Sequence, residues 1–148
     1  MKRLVLMLTL ALSLVSFSSF AKGTEDVAPA ALQSFKSSFK SATDITWSVS
    51  ENFFKADFSL NGQFVAAYYD VTGKLIAITR NISSTQLPIS LQASLKKSYD
   101  CFWISDLFEI ANDEGTTYYM TLETGDTKTI LKANGSSDWT IYKKERKS

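Results

Sequence analysis

The periodicity of this chain changes twice in the same order, from a helical spacing to an alternating one. That repeated change limits the fold more than any single residue does. In the first pass, Leu32, Phe35 and Phe39 stand three and four positions apart behind Pro29, so they share one helix face. Ser34, Lys36, Ser37 and Lys40 cover the other side. From Ile45 the period drops to two. Ile45, Trp47 and Val49 alternate with Thr46, Ser48 and Ser50, as a half-buried strand does. Phe54, Ala56, Phe58 and Leu60 continue the alternation beyond a turn at Glu51-Asn52. Asn61-Gly62 marks a tight hairpin, because both residues tolerate positive φ. The segments 64–69 and 74–80, parted by Asp70-Val71-Thr72-Gly73, complete four strands.

The same order then restarts. Leu87-Pro88 opens a helix whose face is Leu91, Leu95 and Tyr99, and strand-like segments follow at 102–110, 117–122, 127–132 and 139–143. Asp113-Glu114-Gly115, Thr124-Gly125-Asp126 and Asn134-Gly135 separate them. Aligning Pro29-Ala30-Ala31-Leu32-Gln33 with Pro88-Ile89-Ser90-Leu91-Gln92 puts the copies 59 residues apart. Gly73 and Gly135 lie 62 apart, a drift that loop insertions accommodate. Two copies are too few for a solenoid. The expected fold is therefore α+β, a tandem α-β-β-β-β repeat with an antiparallel sheet and two helices packed on one face. Repeat one covers about 28–80 and repeat two about 87–143. Whether the eight strands make one sheet or two packed halves is open at this level.

Lys2-Arg3, the apolar run 4–15 and the small residues Ser19 and Ala21 read as a secretory signal over 1–21, cleaved after Ala21. The domain is then 22–148, and its expected place is the periplasm or the medium. A membrane anchor is the other reading, but the run is short against the roughly 20 residues of a span. Without Lys2 and Arg3 the sixteen basic residues become fourteen against fifteen acidic ones. That balance gives no electrostatic case for nucleic acid.

The 148 residues contain no histidine and one cysteine. Histidine-based triads and imidazole metal sites are excluded, as is an internal disulfide. Asp44, Asp57 and Asp70 do not follow calcium-loop spacing, and Asp113-Glu114 reads as a turn. No catalytic residue, metal or cofactor is expected. Cys101 reads either as a small buried hydrophobe or as the donor of an intermolecular disulfide.

The aromatic residues are too many to hide under two helices, since neighbours in a strand face opposite sides. A recognition surface on the other sheet face is the expected use, with Trp47, Tyr68, Trp103, Tyr118 and Trp139 as its members. Cross-strand packing is the alternative role for the same rings.

The residues 28–32 through Phe39, Ala42-Thr43-Asp44-Ile45-Thr46-Trp47, Phe58-Ser59-Leu60-Asn61-Gly62 and Tyr68-Tyr69-Asp70-Val71-Thr72-Gly73-Lys74-Leu75 carry a family resemblance. So does the stretch from Leu87-Pro88 to Lys96-Lys97-Ser98-Tyr99. In texture the chain resembles the PepSY-like, beta-lactamase-inhibitor-like proteins exported by Bacteroidetes-type bacteria. The resemblance implies an exported α+β domain that binds protein or peptide. The inhibitors of similar architecture are disulfide-bonded, which one cysteine cannot reproduce internally. The expected function is a noncatalytic exported binding module, an inhibitor or accessory protein for an envelope or secreted enzyme. The alternative is a carrier of a small apolar ligand in a space between helices and sheet.

Overall fold

The computed structural model describes residues 24–148; the expected signal segment 1–21 lies outside the described residues. Helix α1 spans Pro29–Ser38. Strands β1 Thr43–Val49, β2 Phe53–Leu60, β3 Gln63–Asp70 and β4 Leu75–Asn81 follow. Helix α2, Ile89–Ser98, leads into β5 Trp103–Asn112, β6 Gly115–Glu123, β7 Thr127–Asn134 and β8 Thr140–Arg146. The eight strands form one antiparallel sheet in sequence order, so the question of two halves is settled in favour of one continuous meander.

Strand register shows which side each residue takes. Phe54, Ala56 and Phe58 on β2 oppose Tyr69, Ala67 and Val65 on β3, and all six are buried with Ala31 and Phe35 of α1. Met120 and Leu122 on β6 oppose Leu131 and Thr129 on β7, and the first three are buried with Leu91 of α2. Between these clusters Ile78 and Arg80 on β4 oppose Ala111 and Glu109 on β5, which carries the same face across the seam. Both helices therefore cover one side of one sheet, over two separate cores. At the seam Arg80 pairs with Glu109 and donates to Gln63 Oε1 at 3.1 Å.

The repeat is more regular in space than in sequence. Phe39 and Tyr99 cap their helices by donating to Phe35 O and Leu95 O, each at 2.9 Å, and Ala31 and Leu91 are both fully buried. These equivalent residues are sixty positions apart, so the 59-residue proline alignment is off by one. Pro29 is the first residue of α1, whereas Pro88 is the residue before α2. Either position suits a residue with fixed φ and no donor. Beyond the first strand the separation is larger. Trp47 pairs with Ala56 as Leu107 pairs with Met120, so β2 and β6 are 64 positions apart. The longer β5–β6 hairpin supplies the extra residues.

Candidate functional site

The sheet face opposite the helices is the candidate site, and the pleat decides its membership. On β2 and β3 it shows Phe53, Lys55, Asp57, Phe64, Ala66 and Tyr68. Across β5 to β7 it shows Phe108, Tyr119, Thr121 and Lys132. Two aromatic clusters stand on it. Phe108 stacks on Tyr119 with centroids 5.4 Å apart, Tyr142 meets Tyr119 edge-on at 5.6 Å, and Lys132 Nζ lies 5.8 Å over the Tyr119 ring. Phe53 lies 5.8 Å from Tyr68, with Lys55 Nζ 5.9 Å over the Tyr68 ring. Lys55 also pairs with Asp57 at 2.9 Å. Rings with cations over their faces combine apolar area with a fixed charge, at about 0.5–1 kcal/mol per exposed contact.

The five aromatic residues expected from sequence do not form one surface. Trp47 is buried in the first core, edge-on to Phe35 at 5.4 Å. Tyr118 faces the second core opposite Glu109. Trp139 lies just before β8 and turns under α2, where its indole N–H donates to Leu91 O at 3.2 Å. These three rings fill the cores and are corrected from surface to scaffold. Tyr68 is on the open face but buried among its neighbours. Trp103 is 74% exposed at the start of β5, opposite Glu123.

Sequence reasoning missed Phe64, 78% exposed, together with the Phe108–Tyr119–Tyr142 cluster. Alternation contained part of the signal, because Tyr118 and Tyr119 must face opposite ways. Nothing in it says which of the two goes inward. Cys101 is exposed, which corrects the buried reading. The loop between helix and strand leaves it outside both cores.

Burial pushes the hydroxyls of Tyr68 and Tyr119 up to about 12, with Asp57 adding to the rise at Tyr68 and Tyr142 at Tyr119. Both remain protonated at neutral pH, and the Tyr68 hydroxyl is hydrogen-bonded to the Thr79 side chain. No cluster of metal-ligating side chains occurs among the described residues. The middle of each helix–sheet interface is filled by side chains, with Phe58, Ala67, Leu91, Met120 and Leu131 fully buried.

No family model matches the chain, and no curated protein matches it. Solved structures do. A BLIP-like protein from Bacteroides fragilis superposes with a TM-score of 0.69 at 18% identity, over 81% of this chain and 86% of that one. The fold is BLIP-like. A DUF2874 family protein from Bacteroides ovatus gives a TM-score of 0.71 at 14% identity, over 81% and 87%. A protein from Bacteroides eggerthii, described as a candidate periplasmic protein, gives 0.71 at 11% identity, over 81% and 88%. At these identities the BLIP-like architecture is shared while the surface residues are this chain's own.

Proposed function

We propose that this chain is a noncatalytic exported binding module, an inhibitor or accessory protein for an envelope or secreted enzyme. Its open sheet face meets the partner. The observation that carries this reading is the uncovered face itself. Both helices lie on the other side, and the free side presents Phe64 and Trp103 on the same face as the two ring–cation clusters. Exposed aromatic residues supply large contact area at low entropy cost. The BLIP-like and candidate periplasmic neighbours support the same reading, as does the signal-like start of the sequence. The PepSY-like relationship belongs to this proposal too. Trp103, Phe64 and Tyr68 are assigned to the surface; Trp47, Tyr118 and Trp139 hold the scaffold beneath it.

The test is affinity capture from periplasmic extract with the mature chain, followed by titration of the recovered partner. Trp103→Ala and Phe64→Ala are each expected to weaken binding by about tenfold or more. Their unfolding free energies should stay within about 0.5 kcal/mol of the parent, because both side chains are largely in solvent. Unchanged affinity in both variants would reject the open face as the docking surface.

A further inference from the structure

The two repeats distribute their core volume differently. In repeat one the middle of the helix–sheet layer is small, with Ala31, Ala56 and Ala67, and the end under the helix C-terminus is aromatic. There Phe35 and Phe39 pack on Phe58 with centroids 4.9 and 4.8 Å apart. Repeat two reverses this arrangement. The positions equivalent to the three alanines are Leu91, Met120 and Leu131, and those equivalent to Phe35 and Phe58 are Leu95 and Leu122. Tyr99, the counterpart of Phe39, leans on Phe102 at 5.7 Å. Removing rings without full collapse leaves space. An open groove of about 330 Å³ lies at this end, with Leu95, Tyr99, Phe102 and Ile104 as its apolar lining.

We propose that this groove binds a phenylalanine or tyrosine side chain presented by a peptide segment of a partner. It is a second site, on the helix side of the sheet. The first repeat indicates the occupant, since at the positions of the lining residues Leu95 and Tyr99 it carries the mutually packed rings of Phe35 and Phe39. The rim favours a peptide-borne ring over a bare hydrocarbon. Lys96 and Asp100 stand on it with no ion-pair partner among the described residues. They offer a cationic donor for a main-chain carbonyl and an anionic acceptor for a main-chain N–H.

The probe is N-acetyl-phenylalanine amide, titrated into isotope-labelled mature protein and followed by NMR. Shifts centred on Leu95, Tyr99, Phe102 and Ile104 are expected, with N-acetyl-alanine amide at least about tenfold weaker. Leu95→Phe supplies the ring that Phe35 provides in repeat one, so it should abolish the shifts while the chain stays folded. Cys101, exposed beside the lining residues Asp100 and Phe102, gives a second readout on the unaltered protein. A phenethyl disulfide formed with Cys101 should withstand about fivefold more reducing thiol than an n-propyl one. The proposal fails if the phenylalanine probe shifts no groove residue. It also fails if a folded Leu95→Phe binds as well as the parent, or if the two disulfides are equally reducible.

Discussion

At the scale of single residues, two side chains carry opposite lessons about polar groups. Tyr69 is fully buried in the first core, and its hydroxyl has no hydrogen-bond partner. An unpaired buried hydroxyl costs free energy that its ring packing must offset. Tyr69→Phe keeps the ring against Trp47, 5.8 Å away, and removes the orphan oxygen. It should raise the unfolding free energy by about 1 kcal/mol, read as a higher Tm. Asp70 is the satisfied case. One of its carboxylate oxygens accepts from the Thr72 hydroxyl at 2.6 Å and from the Thr72 and Lys74 N–H groups at 2.9 and 3.0 Å. These bonds, the Thr72 hydroxyl first, hold its pKa below the usual value. A lowered folded-state pKa gives stability that is full above the unfolded value of about 3.9 and is lost as pH falls through the folded value. Asp70→Asn should be less stable than the parent at pH 7 and should lose less of its stability between pH 5 and pH 2, measured by urea unfolding.

At the scale of elements, the turns that look alike in the two repeats are under different constraints. Gly73 and Gly135 both follow the third strand of their repeat and have φ of +87° and +58°. A Cβ at Gly73 would come within 2.6 Å of the Ala30 Cβ and 2.7 Å of the backbone of α1. One at Gly135 would meet open space. Gly135→Ala should therefore cost only the left-handed strain, about 1–2 kcal/mol. Gly73→Ala should cost that plus about 1–3 kcal/mol of overpacking against the first turn of the helix. Comparing the two denaturation midpoints checks this. The helices and the strands β1 and β2 were readable because an apolar face alternates with a more polar one, while β3, apolar on both faces, was readable from the turns that bound it. The proline alignment erred because proline suits both the residue before a helix and its first turn, and only the hydrogen-bond pattern tells them apart.

At the scale of the whole molecule, two cores share one sheet. Parting the repeats would break the β4–β5 ladder and the Arg80–Glu109 pair, and would expose two long strand edges. One cooperative transition is expected, and the tryptophans report on it, since Trp47 lies in one core and Trp139 in the other. In chains keeping either Trp47 or Trp139, with the other two replaced by Phe, fluorescence and far-UV circular dichroism should give the same midpoint. A circular dichroism curve in two steps would show that the repeats unfold separately. The continuous sheet also leaves one broad uncovered face, opposite both helices.

The sequence by itself determined the element order, the duplication, the hairpin at Asn61-Gly62 and the absence of histidine chemistry, because periodicity, turn residues and composition are local properties. Only the tertiary structure decided which aromatic rings face solvent. Trp139 belongs to no strand, and its direction depends on the helix it meets. Tyr118 and Tyr119 are indistinguishable until strand register assigns one to the core. The unequal filling of the repeats was likewise hidden, since a groove arises from volumes that meet across elements distant in the chain.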